Sequence, residues 1–595
     1  MILRLSIPRL RRHGAQLPLV CALVAAAAAL APPARAQNRA CDELVLYDGK
    51  IVTLDARNTI ASSVVIRGGQ ITAITAARGI PRHDACARLV NLRGHTAIPG
   101  LVDSHEHFVT LSQRPGYDTR LDTTTSVAEV QDAIRRRAKT AKPGAWITAI
   151  GGWNPVQLAE KRLPTLAELD AAAPNNPVLL FPGLNGPSAT NTAGKAFLEA
   201  ELTAAYAPWE GIAVSADGLI IPGTGRLTFA TANPSMAALD AIRALETSDD
   251  LKRTALEVTN FALSFGVTTH DDQAGGAPPF NYAPGPQFGS APIWRGLLEI
   301  AANSSALDPF TGYDHLLALH RQGKLSARLR LFFYSRDLQP DLPFLTQRLN
   351  NQFLDFGDDG MRVSGMGEWV STGDLRNPPP IYENAVRLIA QRGWRYNQHT
   401  NGPEDQRAIA GVWEKVNAAT PIAGLRWDMD HAVQIDADTL RRLKALGAGV
   451  SASGGYFVEV PGRVAPLRAI LESGVHFGYG SDGGSVAPLA PWLHIYYMVT
   501  GKNAAGVVVN PGQTLTRLQA LRAFTIDNAW FTGDEDKLGS IEVGKLGDVA
   551  ILSGDFLDSA RVPDDAIKHL SSVMTILGGK IVYDSGALAP HPASN

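Results

Sequence analysis

The segment that decides the fold is AIPGLVDSHEH, residues 97–107. It begins as an apolar run, for which we predict a strand at residues 97–103, and it ends in His105 and His107. Because side chains alternate along an extended chain, the two imidazoles face the same way. At the carboxyl end of a barrel strand they would converge and could hold one divalent cation. A His-x-His pair alone is weak evidence, so the rest of the chain has to supply further ligands.

Apolar runs alternate with helical patterns beyond this segment, and many of the runs end in polar residues. We predict the eight strands at residues 97–103, 265–271, 327–334, 361–369, 394–399, 425–431, 447–451 and 475–482. Eight such units are typical of a (β/α)8 TIM-like barrel, an α/β fold whose active site lies at the carboxyl ends of its strands.

Short alternating strands occur at both ends of the chain. We predict them at residues 44–47, 50–54, 63–67, 70–75, 87–91, 548–552, 573–577 and 580–583. Residues 37–96 and 538–595 are therefore predicted to form one small β-sandwich domain, with the barrel at residues 97–537 between them. The gap after the first barrel strand is too long for a crossover, so residues of about 110–260 are predicted to be an inserted subdomain that caps the site.

The first 36 residues have the pattern of a cleavable signal peptide. Arginines precede an apolar run at residues 17–31, and the small-x-small tripeptide Ala34-Arg35-Ala36 follows it. That run is shorter than the roughly 20 residues needed to span a bilayer, which disfavours an uncleaved anchor. We therefore expect a periplasmic or secreted protein without membrane attachment after cleavage. The pair Arg11-Arg12 leaves the Sec and twin-arginine routes undecided.

Composition limits the partners. The 595 residues are 45% hydrophobic and 19% charged, which is typical of a globular protein. Removing residues 1–36 removes five arginines and no acids, which lowers the formal charge from −2 to −7 and leaves no basic tract for nucleic acid. The expected partner is a small-molecule substrate, and a homo-oligomer is compatible with the sequence.

Two cysteines remain after the signal peptide, because Cys21 is removed with it. Cys41 and Cys86 form an even pair in a chain expected to reach an oxidising compartment, which predicts a disulfide. Two unpaired thiols are the alternative, and a metal site is disfavoured because no other ligand type surrounds either cysteine.

Four further residues of ligand type follow the later predicted strands: Glu368, His399, His431 and Asp482. A single buried histidine is more often a satisfied core residue than a ligand. The joint placement of four such residues at strand ends, together with His105 and His107, predicts a metal centre at the barrel mouth.

These motifs resemble a known family. Residues 97–107 resemble the first-strand motif of the amidohydrolase superfamily, and Gly480-Ser481-Asp482 resembles its eighth-strand motif. The stretch LGSIEVGKLGD, residues 538–548, is similar to the superfamily's return into its β-domain. The large insert and the residues around His431 look most like the amidohydrolase-3 group, which includes N-substituted formamide deformylases. The resemblance covers nearly the whole chain after residue 36.

The resemblance implies a set of roles for the six residues. His105, His107 and Asp482 would bind one metal, and His399 and His431 a second. Many members bridge the two ions with a carboxylated lysine on the fourth strand, whereas this chain has Glu368 there and no lysine to modify. Imidazoles and carboxylates favour two zinc ions per chain, with one ion, or manganese, iron or cobalt, as open alternatives.

Metal ions of this kind can activate a water for hydroxide attack on an amide-type C–N bond, with Asp482 as the catalytic acid and base. Asp103 and Asp430 stand beside ligand histidines and either orient them or pack elsewhere. Trp153, Tyr456 and His270 are candidate substrate-binding residues; the alternative is that they belong to the core or support the ligands.

Other functions fit the sequence less well. An ester or carbamate hydrolase would use the same site, so the bond type stays open. A non-catalytic periplasmic binding protein on the same barrel would be expected to lack a ligand, and none of the six is missing. A mononuclear deaminase would carry a glutamate at position 402, which is Gly402 here, and a serine hydrolase would need a Gly-x-Ser-x-Gly elbow.

Overall fold

A computed structural model describes residues 41–183, 186–205, 212–222, 234–243, 245–275, 311–333, 335, 337, 339–370, 375–484 and 486–589. The predicted signal peptide at residues 1–36 lies outside these residues, as does residue 334 at the end of the third predicted barrel strand. Cys41 and Cys86 are disulfide-bonded, which confirms the predicted disulfide. None of the described helices combines the length and the apolar character needed to cross a membrane.

Seven strands open the described chain: β1 Glu43–Tyr47, β2 Lys50–Val52, β3 Ile60–Ala61, β4 Ser63–Arg67, β5 Gln70–Thr75, β6 Arg88–Asn91 and β7 Thr96–Pro99. Strands β5, β4, β1 and β6 form one sheet in that order. In this sheet β1 is antiparallel to β4 and parallel to β6. The alternate side chains Leu44 and Leu46 of β1 and Val64 and Ile66 of β4 belong to one buried cluster, as expected for strands with one face on a core.

A six-stranded sheet follows β8 Leu101–Glu106. Its strands are β9 Tyr117–Asp118, β10 Ile147–Ile150, β11 Val178–Phe181, β12 Ser188–Thr190, β13 Ile212–Val214 and β14 Leu219–Pro222, paired in the order β13, β14, β12, β11, β10, β9. Its helices are Val127–Ala138, Leu166–Ala172, Thr192–Ala205 and Pro234–Arg243, and a short 3-10 helix spans Pro155–Gln157.

The central strands of this sheet are covered on both faces, which is why they contain continuous apolar runs. Val178 and Leu180 belong to the buried cluster that includes Val130 and Leu169 of two helices. Leu179 and Phe181 belong to a second cluster on the other face. The insert therefore has its own hydrophobic cores.

Seven more strands are parallel to β8 or to one another: β15 Val267–Gly275, β16 Arg328–Phe333, β17 Met361–Met366, β18 Asn397–Gln398, β19 Asp428–His431, β20 Gly449–Ala452 and β21 His476–Tyr479. They form one sheet in the order β8, β15, β16, β17 and another in the order β18, β19, β20, β21. Single parallel bridges link Met366 to Tyr396 and Glu106 to Gly483. The pairing order therefore returns to β8.

Helices accompany the parallel strands, which gives a mixed α/β architecture. They are Phe108–Leu111, Ser248–Leu263, Asp314–Arg321, Pro343–Asn351, Pro380–Gln391, Pro403–Ala419, Ala437–Leu446, Leu467–Ser473, Pro491–Thr500, Arg517–Ala523 and Ile526–Ala529, with 3-10 helices at Thr311–Tyr313, Gly455–Phe457, Trp530–Thr532 and Asp564–His569. Several begin at a capping side chain, as Ala437–Leu446 does at Asp436, whose carboxylate accepts a hydrogen bond from the Thr439 N–H.

The first parallel strand is shorter than predicted. Residues 97–103 were expected to form one strand, but β7 ends at Pro99 and β8 begins at Leu101. The structure corrects this prediction, because β7 pairs with β2 instead of joining the parallel strands. Gly100 permits the change of sheet, since a Cβ at this position would lie 2.2 Å from Thr268 Oγ1.

The chain returns to its starting sheet through β22 Val549–Leu552, β23 Ser572–Leu577 and β24 Lys580–Asp584. Strand β22 lies between β7 and β23 and is antiparallel to both. The resulting six-stranded sheet has the order β24, β23, β22, β7, β2, β3. Val549 and Ile576 of this sheet share a buried cluster with Leu44 and Val64 of the first, so both ends of the chain contribute to one core.

Candidate metal centre

Six side chains meet at the carboxyl ends of the parallel strands. We call them the metal cluster: His105 in β8, His107 directly after β8, Glu368 after β17, His399 after β18, His431 at the end of β19 and Asp482 after β21. These are the six ligands predicted from the sequence. Neighbouring parallel strands present their carboxyl ends on the same side, which is why residues far apart in the sequence come together.

One group within the metal cluster consists of His105, His107 and Asp482. Asp482 Oδ1 lies 3.3 Å from His107 Nε2 and 3.7 Å from His105 Nε2. One atom of each residue lies within 4.8 Å of the other two, close enough for all three to share an ion. This is the set expected to hold the first metal.

A second group surrounds Glu368. Its Oε1 lies 3.1 Å from His399 Nδ1, 3.4 Å from His105 Nε2 and 3.6 Å from His431 Nε2. His431 Nε2 is also 2.8 Å from His399 Nδ1. The other oxygen of Glu368 lies 4.0 Å from His107 Nε2, so the carboxylate faces both groups. This is the location expected of a carboxylate between two ions.

The donor atoms fit a divalent cation. His105 is fully buried, and its Nε2 has no hydrogen-bond partner among the described residues although it faces Glu368 and Asp482. Ligands about 2.1 Å from an ion in tetrahedral geometry lie about 3.4 Å from each other, close to the separations found here. Imidazole nitrogens and carboxylate oxygens are also the ligand types that zinc accepts.

Each carboxylate of the metal cluster is strongly acidic in this environment. Burial alone would raise the pKa of Glu368, but the surrounding imidazoles, His107 first, lower it well below its ordinary value. Burial likewise opposes ionisation of Asp482, and His107, His431 and His105 nevertheless lower its pKa. Both groups are therefore anionic and ready to accept a cation.

The imidazoles respond to the same neighbours. Burial would lower the pKa of His105, but Asp430 and Glu368 raise it well above its ordinary value. The pKa of His107 is raised in the same way by Glu368 and Asp482 against the effect of burial. Burial and the adjacent His399 lower the pKa of His431. The carboxylates therefore favour the protonated forms of His105 and His107, and His431 differs because its pKa is lowered.

Further side chains contact the Nδ1 atoms of two imidazoles in the metal cluster and orient their rings. Asp430 Oδ2 lies 3.0 Å from His105 Nδ1, and Asn397 Nδ2 donates a hydrogen bond to Asp430 Oδ1. Ser453 Oγ is 2.7 Å from His431 Nδ1. Such partners fix ring orientation and leave the opposite nitrogen for a ligand role.

Asp430 and Asp103, for which the sequence left two alternatives, differ in the structure. Asp430 contacts the His105 imidazole, as above. Asp103 Oδ1 instead accepts hydrogen bonds from the backbone N–H groups of His105 and Ser481, at 3.3 and 2.8 Å. Asp103 therefore holds the backbone of β8 close to the segment after β21 and does not touch an imidazole nitrogen in the contacts described.

Three members of the metal cluster have left-handed backbone conformations. The φ angles are +43° at Glu368, +62° at His431 and +56° at Asp482. Residues other than glycine seldom adopt such angles, and where they do the surrounding structure must hold them. The strands thus end abruptly at these positions and turn their side chains toward one point.

The candidate substrate-binding residues are placed differently from the metal cluster. Trp153 is buried in the insert, where its Nε1 donates to the Ala149 carbonyl, and it lines a cavity of about 730 Å³. Val486, four residues after Asp482, lines the same cavity. Tyr456 is buried against Phe457 and His494.

His270 does not reach the cavity beside the metal cluster. It is fully buried, its Nδ1 is hydrogen-bonded to the Glu106 carboxylate, and its ring packs on Phe108. Burial lowers its pKa to about 4, so it is neutral near pH 7. This burial argues against substrate contact and for a supporting role next to β8.

Several residues of the site could not be singled out from the sequence. A cavity of about 220 Å³ adjoins the metal cluster and is lined by His399, His431, Asp482, Ser453 and Arg463, among others. Trp369 stacks on the His399 ring with centroids 4.6 Å apart. The adjacency of Trp369 to Glu368 was the only signal available for it.

Comparison with known proteins gives a family match and several relatives that extend over most of the chain. The sequence model of the amidohydrolase family matches residues 88–583. The N-substituted formamide deformylase of Arthrobacter pascens is 24% identical over 578 residues, which cover 91% of this chain and 98% of that protein. Protein LONG AFTER FAR-RED 3 of Arabidopsis thaliana is 24% identical over 586 residues, covering 91% of each chain.

Solved structures show the same fold at low sequence identity. An uncharacterized metal-dependent hydrolase from Pyrococcus furiosus superposes with a TM-score of 0.53 at 19% identity, over 87% of this chain and all of that chain. Atrazine chlorohydrolase from Arthrobacter aurescens TC1 complexed with zinc has a TM-score of 0.50 at 15% identity, over 91% of this chain and 95% of that chain.

Proposed function

Because this chain belongs to the amidohydrolase family and is thus a metal-dependent hydrolase, we propose that it is exported and cleaves an amide-type C–N bond of a small molecule. The observation that carries the proposal is the convergence of four imidazoles and two carboxylates at the carboxyl ends of the parallel strands. The pairing order that returns to β8 supports a closed (β/α)8 barrel, in which this is the catalytic end.

Two zinc ions are the proposed cofactor. His105, His107 and Asp482 would hold one ion, and His399 and His431 the other, with Glu368 between them. The location of Glu368 between the two groups supports this division. The zinc in the atrazine chlorohydrolase structure supports the choice of metal.

Bound at this position, divalent metal ions supply an activated water and polarise the scissile carbonyl. Residues of the chain transfer the proton and orient the metal ligands. Asp482 Oδ1 faces His105 and His107, and Oδ2 lies 3.7 Å from His431 Nδ1. We assign to Oδ2 the role of holding the proton that the attacking water loses and returning it to the leaving nitrogen. Asp430 and Ser453 keep His105 and His431 in fixed orientations during this transfer.

An amide is the proposed bond type because N-substituted formamide deformylase is similar to this chain along almost its whole length. Hydrolysis of an ester or a carbamate on the same site is the alternative. The pattern of residues 1–36 supports export, which amino-terminal sequencing of the protein from the periplasmic fraction would test.

The metal content of the purified protein tests the proposal before a substrate is known. Elemental analysis is carried out on the wild type, on Glu368→Ala and on Glu472→Ala, a matched control in which an exposed glutamate of helix Leu467–Ser473 is removed. Hydrolysis of a panel of formamides, other amides, carbamates and esters is measured on the same samples.

We expect about two metal ions per chain in the wild type and in Glu472→Ala, and fewer in Glu368→Ala. Turnover of amides above esters supports the proposed bond type, and the reverse order would favour the alternative. A metal-free wild type after expression with added metal would overturn the mechanism and favour a non-catalytic binding protein on the same fold.

A further inference from the structure

The cavity next to the metal cluster is lined by a cationic side chain that has no described partner. Arg463 lines this cavity of about 220 Å³ together with His399, His431 and Asp482. Among the residues that the structure describes, its guanidinium makes no hydrogen bond or ion pair. An arginine offers five N–H donors in a planar fork, so this one has its recognition capacity free for a ligand.

The backbone on both sides of Arg463 is hydrogen-bonded to other segments. The Gly462 N–H donates to the Val509 carbonyl at 2.8 Å, and the Gln434 N–H donates to the Val464 carbonyl at 3.0 Å. Gln434 lies three residues after His431, so this bond ties the arginine segment to the loop that carries a member of the metal cluster. The backbone of Arg463 is therefore held in place relative to the cluster, and its side chain is exposed to solvent where it lines the cavity.

Other arginines of this chain have structural roles, in which the guanidinium is hydrogen-bonded to a carbonyl or a carboxylate. Arg468, five residues further along, donates to the Thr514 carbonyl at 2.8 Å and lines none of the cavities described above. Arg328 forms two hydrogen bonds to the Asp548 carboxylate. Arg463 has neither kind of contact, although Asp482 lines the same cavity.

We propose that Arg463 binds a carboxylate of the substrate, so that the enzyme acts on N-acyl amino acids and related N-acyl carboxylates in preference to neutral amides. The inference rests on the proposed function, since it names the substrate class of the same site. A single guanidinium matches a single negative charge, and its fork matches the two oxygens of a carboxylate. The cavity is smaller than the roughly 300–1,000 Å³ typical of drug-sized ligands, which suits a small substrate.

A matched pair of substrates isolates the charge. N-formyl-leucine and N-formyl-leucinamide carry the same acyl group and side chain and differ only in the carboxylate. We expect the wild type to prefer the acid by about 10- to 100-fold in kcat/KM, the range for one hydrogen-bonded ionic contact. Arg463→Ala is expected to bring this ratio close to one, and Arg463→Glu to invert it. Arg463→Lys keeps the charge without the fork and is expected to retain part of the preference.

The control is Arg468→Ala, which removes an arginine from the same segment and is expected to leave the ratio at the wild-type value. Binding is measured separately by isothermal titration calorimetry of the metal-loaded protein with 4-methylpentanoate and with 5-methylhexan-2-one, a neutral methyl ketone of similar shape; neither compound contains an amide or ester bond. We expect the acid to bind more tightly than the ketone in the wild type and to lose this advantage in Arg463→Ala.

The two experiments separate this inference from the proposed function. If the wild type hydrolyses both formyl compounds equally, and Arg463→Ala leaves the ratio unchanged, the carboxylate preference is wrong while the amidohydrolase activity stands. If neither compound is hydrolysed and no other amide is, the proposed function fails, and the calorimetry alone decides about Arg463. Equal affinity of wild type and Arg463→Ala for 4-methylpentanoate would overturn the inference.

Discussion

The parallel strands bury charged side chains at both ends, but the two ends neutralise them differently. Near the amino ends of β16 and β17 lies a group that we call the base cluster: Arg328, Arg330, Arg362, Asp534 and Asp548. Its carboxylates are paired with guanidinium groups, at 2.6 Å between Arg328 Nε and Asp548 and 2.6 Å between Arg330 Nε and Asp534. At the carboxyl ends, the described ion-pair contacts of Glu368 and Asp482 are all with imidazoles.

This difference separates a structural cluster from a functional one. Burial would raise the pKa of Asp534, but Arg330 and Arg362 lower it, so each carboxylate of the base cluster has a guanidinium partner without any added ion. In the metal cluster the described ion-pair partners of both carboxylates are imidazoles, whose nitrogens are the atoms that a metal would need. Buried charge at one end therefore maintains the fold, and at the other end it prepares a binding site.

The largest expected effect is the loss of turnover in Asp482→Asn. Removing the proposed proton carrier is expected to lower kcat by about 10²- to 10⁴-fold, while the metal content stays close to that of the wild type because the amide oxygen can still contact a metal. Steady-state kinetics and elemental analysis on the same preparation measure both. A variant that keeps most of its turnover would show that another group carries the proton.

Breaking the base cluster is expected to lower the stability of the protein and to leave its metal content unchanged. Arg328→Met leaves the Asp548 carboxylate buried without its guanidinium and is expected to lower the free energy of unfolding by about 3–5 kcal/mol. Urea denaturation followed by circular dichroism measures this loss, and metal content per folded chain is expected to be retained. A metal-depleted but stable Arg328→Met would contradict the division between the two clusters.

A smaller effect is expected from removing a side chain that orients an imidazole of the metal cluster. Ser453→Ala removes the hydroxyl 2.7 Å from His431 Nδ1 and so frees the imidazole to rotate. We expect about a 10- to 100-fold loss of metal affinity or activity, measured by competition with a chromogenic chelator. The matched control is Ser473→Ala, whose hydroxyl caps the end of a distant helix by donating to the Ile470 carbonyl. Equal affinities in the two variants would mean that His431 needs no orienting partner.

The smallest effect concerns a guanidinium and carboxylate pair in contact with solvent. Hydrogen bonds from Arg162, stronger than the opposing effect of burial, lower the pKa of Glu168 to about 2. Because the folded pKa lies below the ordinary value of 4.5, this stabilisation is fully present above pH 4.5 and is lost as the pH falls toward 2. Glu168→Gln is expected to cost about 0.5–1 kcal/mol at pH 7 and nearly nothing near pH 2, measured by urea denaturation. A cost that does not change with pH would assign it to the helix cap of Thr165 alone.

All six members of the metal cluster were predictable from the sequence because each stands at the carboxyl end of an apolar run. The carboxyl ends of parallel strands lie close together, so these residues could be predicted to meet even though they are far apart in the sequence. For His270 the sequence left two alternatives, a substrate contact or a residue that supports the ligands. Strand β15 continues to Gly275, and the His270 side chain is hydrogen-bonded to Glu106, which favours the supporting role. A strand's end cannot be located accurately when polar residues continue the strand.

The limits of the prediction are clearest where the chain changes sheets or turns. Residues 97–102 contain no polar side chain, and alternation alone could not show that Pro99 and Leu101 belong to different sheets. Arg463 and Ser453 lie in loops whose paths depend on bonds such as that from the Gln434 N–H to the Val464 carbonyl. Contacts of this kind follow from the packed structure and leave no periodic pattern in the sequence.

The placement of β22 between β7 and β23 has a consequence for how the protein is made. Strand β7 leaves the ribosome early, but its partner β22 begins only at Val549. At about 5–20 residues per second, roughly 20 to 90 s separate the synthesis of the two strands. For that time one edge of β7 has no permanent neighbour, and nascent chains would have to be shielded there against association with one another.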